Sequence, residues 1–186
     1  MKNARKSYFF NSLFLAVLLV SGCSKSNDNS GNSASPYYFT VNIDGTEKKA
    51  ENDKLLGMKA QVVFTEGFGN QLLVSGRWRI STIDLKKFGG IDLLIQPFQK
   101  KAGVYSTGSS GGFNSVIYWV DMNAEDENED VYSAGEQGPI GRISVVSFTN
   151  EEIRGTFECP VKNANGKIIK LAAGKFYMPV DMSRAR

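Results

Sequence analysis

Apolar residues in this chain recur at every second position, run after run, and long stretches with the spacing of three and four that an amphipathic helix requires are absent. Phe39, Val41 and Ile43 alternate with Thr40 and Asn42. Met58, Ala60, Val62 and Phe64 form a second such face, and Leu72, Val74, Gly76, Trp78 and Ile80 a third, with Arg77 and Arg79 turned the other way. Ile91, Leu93 and Ile95 follow, then Ile143 to Phe148, Ile153 to Val161, Ile168 to Ala172 and Lys175 to Val180. A period of two places alternate side chains on opposite faces of a strand, so these segments read as antiparallel strands with one wet face.

Turn chemistry separates the runs. Asp44-Gly45 is a two-residue hairpin signal, Gly67 and Gly69 end the second face, and Asn150-Glu151-Glu152 and Asn163-Ala164-Asn165-Gly166 supply later turns. Pro97 suits a strand end, and Gly108 to Asn114 a glycine-serine loop. Ser115 to Asp121 is apolar on both faces, as expected of a central strand covered on each side. One short helix is expected over 81–88, because Ser81 followed by Asp84 has capping-box spacing and Gly89 follows as a stop. The expected fold is all-β, an antiparallel sandwich of about nine or ten strands, with a closed barrel as the alternative.

The amino terminus has a different grammar. Lys2, Arg5 and Lys6 precede an apolar stretch from Tyr8 to Val20, which is short of the roughly 20 apolar residues a bilayer span needs. The run then closes on Val20-Ser21-Gly22-Cys23. This order resembles the lipobox of bacterial lipoproteins. The resemblance implies that residues 1–22 are a removed leader, that Cys23 is acylated, and that the protein is held at the cell envelope, with the outer membrane as the expected location. Several acyl chains hold a protein far more firmly than the single chain that binds marginally. Residues 23–36, rich in Ser, Asn, Gly, Asp and Lys, read as a flexible tether with a reach of about 20 Å. Residues 37–186 are expected to be a single domain, since about 150 residues bury one core.

Composition narrows the function classes. The chain has 22 basic and 19 acidic residues, and three of the basic ones belong to the leader, so the mature chain is balanced. Such a balance offers no electrostatic footprint for nucleic acid. There are two cysteines, and with Cys23 acylated Cys159 has no partner in the chain; it reads as a buried, inert thiol. The absence of any histidine excludes Ser-His-Asp and Cys-His machinery and histidine-bearing zinc sites. There is also no Ser-x-x-Lys pair.

The last third carries Gly141-Arg142-Ile143-Ser144-Val145, then Ile153-Arg154-Gly155-Thr156-Phe157, then Gly174-Lys175-Phe176, with Gly103-Val104-Tyr105 as an earlier echo. In this order the motifs resemble a family of small lipoproteins from Bacteroidota-type bacteria that contain a β-sandwich domain of unknown function. The resemblance implies a fold and an address, and brings no catalytic residues. In physical terms, Gly155 can admit an aromatic ring from a neighbouring strand and Gly174 can open a turn or bulge.

Three of the clusters carry residues suited to chemistry or binding. Asp121, Asn123 and Glu125 follow the first ligand spacings of a calcium loop, but the sixth position lacks glycine and Tyr132 stands in place of the bidentate glutamate. The segment therefore reads as a solvated acidic loop between strands, with an irregular calcium site as the alternative, and no cofactor is expected. Asp121 with an acidic partner, lined by Trp119, Tyr118 or Trp78, is the pairing a carboxylate glycosidase would need. Arg77-Trp78-Arg79 reads as a core tryptophan between solubilising charges. The expectation is a non-catalytic, lipid-anchored module that binds an envelope protein or a glycan and no nucleic acid. The alternatives are a carboxylate-dependent glycan hydrolase and a small membrane-anchored inhibitor or protective protein.

Overall fold

The computed structural model describes residues 35–186 apart from 51–56, 85, 109–112, 123–129 and 136–137, and these residues belong to one compact unit, Ala34–Arg186. Residues 1–34, on which the expected leader, Cys23 and most of the expected tether fall, lie outside the described residues.

The protein is all-β. In chain order the strands are β1 (Tyr38–Ile43), β2 (Thr46–Lys49), β3 (Lys59–Thr65), β4 (Gly69–Arg79), β5 (Phe88–Ile95), β6 (Gly103–Ser106), β7 (Ser115–Trp119), β8 (Val131–Ala134), β9 (Arg142–Phe148), β10 (Glu152–Lys162) and β11 (Ile168–Arg184). Pairing is continuous through all eleven, with an added contact between β10 and β11. The arrangement is sandwich-like. One layer runs β2-β1-β11-β10-β9-β6 and the other β3-β4-β5-β7-β8.

Two long strands join the layers. β11 pairs with β1 over Leu171 to Tyr177 and then, further on, with β3 from Val180 to Arg184. β10 pairs with β9 from Ile153 to Glu158 and reaches β8 at Lys162. Both edges of the five-stranded layer are thereby hydrogen-bonded to strands of the other layer. The free edges of the six-stranded layer are β2 and β6, each of four residues, and β2 carries Glu47, Lys48 and Lys49, which discourages edge-to-edge association.

The alternation sets the core. Phe39, Val41, Val62, Leu72, Val74, Ile91, Leu93, Ile95, Val116, Ile143, Ile153, Phe157, Leu171, Phe176 and Met178 are all buried. The Asp44-Gly45 hairpin forms with φ of 47° and 87°, the left-handed pair that a two-residue turn needs, and Asn42 Oδ1 accepts from the Gly45 amide at 2.7 Å. Aromatic rings sit on glycines. Gly155 faces Phe176 across β10 and β11, and a Cβ there would lie 2.3 Å from the ring; Gly174 faces Phe157, where the distance would be 2.5 Å. The Phe39 ring sits on Gly76 of the opposite layer, where a Cβ would fall 2.3 Å from it.

Five features depart from the sequence reading, one being that the second apolar face of Ser115 to Asp121, expected to be covered, is only partly so at Ile117 and Trp119. The pairing of β3 with β11 is parallel, so the sheet is mixed where an antiparallel one was expected. Ile168 to Ala172 and Lys175 to Val180 are one strand: Ala173, at φ 50°, takes the left-handed conformation at an irregularity, and pairing with β10 resumes on both sides. β8 was not anticipated. Finally, no described residue of 81–88 is helical. Ser81 Oγ does accept from the Asp84 amide at 2.9 Å, as a cap would, but Arg79 and Phe88 are cross-strand partners and the chain must reverse between them. That span is too short to offset the cost of nucleating a helix.

Cys159 is fully buried, and burial pushes its thiol up to about 11, against a smaller lowering by the Thr107 hydroxyl. Its contribution to stability is therefore complete below pH 9.0 and is lost as the pH rises through about 11. At pH 8, an aromatic disulfide reagent is expected to modify Cys159 only at the rate of global unfolding, and rapid reaction in the native state would contradict this. Gly155→Ala should destabilise the domain by about 1–3 kcal/mol through overpacking against Phe176. Adding Phe176→Leu should return part of that loss in a chemical-denaturation double-mutant cycle, and strict additivity would rule out the proposed contact.

Candidate functional site

On β7 the inward residues Val116 and Tyr118 are buried, whereas Ile117 and Trp119 on the other face are only partly covered. The second apolar face therefore borders solvent. It forms the floor of a groove of about 570 Å³ on the outer side of the five-stranded layer, within the range of small-ligand pockets. Leu73 and Leu94, which are cross-strand partners, join Ile117 as its apolar floor, with Phe88 and Met122 among the lining residues and Lys59 and Gly57 contributing from β3 and just before it.

At the centre of this face lies one carboxylate. Asp92 Oδ1 accepts from Ser75 Oγ at 2.6 Å and from Arg77 Nη2 at 2.6 Å, and Oδ2 accepts from Trp119 Nε1 at 3.0 Å. Arg77 Nη1 donates to the carbonyls of Ile91, at 3.0 Å, and Gly76, at 3.2 Å. The register explains the arrangement. Ser75 and Ile117 are the direct cross-strand partners of Asp92, while Arg77 is the partner of Gly90. A Cβ at Gly90 would lie 2.5 Å from Arg77 Cδ, so glycine is what lets this side chain lie along the sheet. Both Arg77 and Asp92 side chains are less than a fifth exposed. Charge-assisted bonds at this distance, in a partly desolvated setting, are the stronger kind.

The residues singled out in the sequence distribute differently. Asp121 follows β7, 14% exposed, with its carboxylate 3.8 Å from Lys87 Nζ. Asn123 and Glu125 lie outside the described residues. Among the described residues no three acids or cysteines come together as a metal site. Trp78 and Tyr118 do not line a cleft with Asp121. They stack on each other in the core with centroids 6.4 Å apart, and Tyr118 is pushed up to about 12, chiefly by burial. Trp119, one position along, points the opposite way and meets Asp92. Cys23 lies outside the described residues.

Asp92 is the residue that sequence reasoning missed. Its signal was present: a lone acid within Ile91-Asp92-Leu93-Leu94-Ile95, on the wet face of a strand whose neighbour carries an arginine on its own wet face.

The chain matches no known family, no curated protein and no solved structure.

Asp92→Ala should cost about 1–3 kcal/mol, because it leaves a partly buried guanidinium, a hydroxyl and an indole N–H without their shared acceptor. Asp92→Asn should cost less. Equal stability of Asp92→Ala and the parent by urea titration would show that the network is only a surface ion pair.

Proposed function

We propose that this protein is a non-catalytic, lipid-anchored lipoprotein of the bacterial cell envelope, and that its β-domain binds an apolar segment of an envelope protein in the groove over Leu73, Leu94 and Ile117. One observation carries this reading: the partly buried charges at the centre of the groove, Arg77 and Asp92, are already joined to each other, while the ammonium-bearing Lys59 at its border is exposed to water. Asp92 accepts from three donors, and Arg77 is engaged by Asp92 and two carbonyls. An apolar occupant can therefore displace water from the groove without stranding a charge, whereas stranding one would cost several kcal/mol. A sugar gains from hydroxyl-binding groups that are free to pair with it, and the inward-turned network favours a polypeptide over a glycan. The same engagement argues for a structural role of Asp92 over one in proton transfer, since its acceptor positions are occupied. The lipobox resemblance at Cys23 supplies the anchor.

The test uses an apolar fluorophore, anilinonaphthalene sulfonate, together with a photocrosslinking residue at Ile117. The parent should bind the dye, and Leu94→Asp should weaken binding by roughly tenfold or more while leaving the far-ultraviolet dichroism unchanged. In cells, the residue at 117 should give one recurrent polypeptide adduct that Leu94→Asp removes. Dye binding untouched by Leu94→Asp, or adducts that do not depend on it, would end the groove assignment.

A further inference from the structure

Two aromatic rings stand in solvent at one end of the sandwich. Phe68, in the turn between β3 and β4, is 52% exposed, and Phe113, in the segment before β7, is 56% exposed. They come from separate loops and meet edge to face at 5.9 Å. Clustered exposed rings at a domain end are costly unless something covers them, unlike a scattered surface leucine.

Basic residues lie in the segments that adjoin these loops. The two segments are joined through β5's exit: the Phe113 amide donates to the Gln96 carbonyl, and the Phe98 amide to that of Asn70. Asn70 Oδ1 also accepts from the Arg186 amide at 3.4 Å. The Arg186 guanidinium lies 4.9 Å over the Phe64 ring, and Lys100 Nζ donates to the Arg186 carbonyl. Lys101 and Arg184 are exposed nearby in sequence, while Glu66, in the turn of Phe68, and Asp181, which interacts with Arg184, are opposing charges. Aromatic rings flanked by lysine and arginine are the composition that partitions into the headgroup region of a bilayer, the rings entering the boundary and the cations facing anionic lipid.

The position at which the chain enters the domain selects the occupant. Tyr38 pairs with Tyr177, and β1 runs antiparallel to β11, so the residues preceding Tyr38 head toward the end where β11 stops. β11 finishes at Arg184 beside Val63 of β3, which leads into the turn of Phe68. The chain therefore enters opposite Tyr177, seven positions of β11 short of Arg184, and the residues before Tyr38 head in the direction of the end that carries the exposed rings. Cys23 is thirteen positions before Pro36, a separation with a flexible reach of about 20 Å.

We propose that this end is the membrane-facing surface of the protein, with Phe68 and Phe113 seated in the headgroup layer of an anionic phospholipid bilayer and Lys100, Lys101, Arg184 and Arg186 around them. The proposal rests on the anchor read at Cys23. It gives the domain a preferred orientation, with the rings as a second, reversible attachment that adds to the acyl anchor.

The test uses residues 23–186 carrying Cys23→Ser, so that no acyl chain contributes, and vesicles of phosphatidylethanolamine with phosphatidylglycerol, or of phosphatidylcholine alone. The chain should sediment with the anionic vesicles and be released by salt. Phe68→Asp with Phe113→Asp should weaken this by roughly tenfold or more, and Lys101→Glu with Arg184→Glu should remove the preference for phosphatidylglycerol. Phe68→Trp should keep binding and shift its emission to the blue on adding vesicles. Unchanged sedimentation of the double aspartate variant, or an unmoved emission, would overturn the proposal. So would vesicle binding that is absent throughout while a photocrosslinker at Phe68 captures a polypeptide, which would assign the end to a protein. The mass of Cys23 in the native protein tests the anchor separately: an unmodified thiol there would remove the anchor and leave the vesicle result standing.

Discussion

The fold depends on aromatic rings lying on glycines at the junction of β10, β11, β1 and β4. Phe157 over Gly174 and Phe176 over Gly155 are reciprocal cross-strand pairs, and Phe39 reaches from the same layer onto Gly76 of the other. A ring that lies across a strand needs the space a Cβ would take, so each pair fixes both register and separation. Slipping either strand by one residue would turn every ring outward. Fully burying each ring contributes about 1.5–3 kcal/mol, and its seat on the facing strand makes that gain specific to one pairing. With β10 and β11 locked in this way, their remaining lengths extend past their own layer to β8 and β3, and the second layer is held at both edges.

Closing both edges of the five-stranded layer leaves its outer face as a surface on which side chains are placed by the ladder alone. There, Ser75, Asp92 and Ile117 fall in one cross-strand row, Leu73 and Leu94 in the next, and Gly90 makes room for Arg77. The outcome is an apolar floor around a charge network that is complete in itself. Such a surface suits an occupant that brings apolar groups and asks for few hydrogen bonds. The exposed rings at the end of the sandwich belong to turns, outside the ladder.

The strands were legible because half-buried strands announce themselves by alternation, and the Asp44-Gly45 hairpin because only a few residue pairs tolerate two successive positive φ values. Gly155 as a seat for a ring was also legible, from its position beside Phe157. The helix expected over 81–88 failed because the capping contact is local, while the reversal between Arg79 and Phe88 is imposed by pairing. Splitting β11 failed because a bulge at Ala173 and a turn look alike in sequence. In the site, Trp119 and Tyr118 were grouped with Asp121 by proximity in sequence. Alternation sends Tyr118 into the core and Trp119 out to Asp92, which lies 27 residues away in the chain.

The sequence by itself determined the all-β class, most of the strands, the inward face of most of them, the buried state of Cys159 and the absence of histidine, because these depend on residue type and on a period of two. Only the tertiary structure decided that β3 and β11 run parallel, that β10 and β11 bridge the layers, and that Asp92 gathers Ser75, Arg77 and Trp119 above an apolar groove. Those outcomes are contacts between segments far apart in the chain. Their free energy comes from which strand lies beside which, and a local pattern of apolar and polar residues is compatible with many such orders.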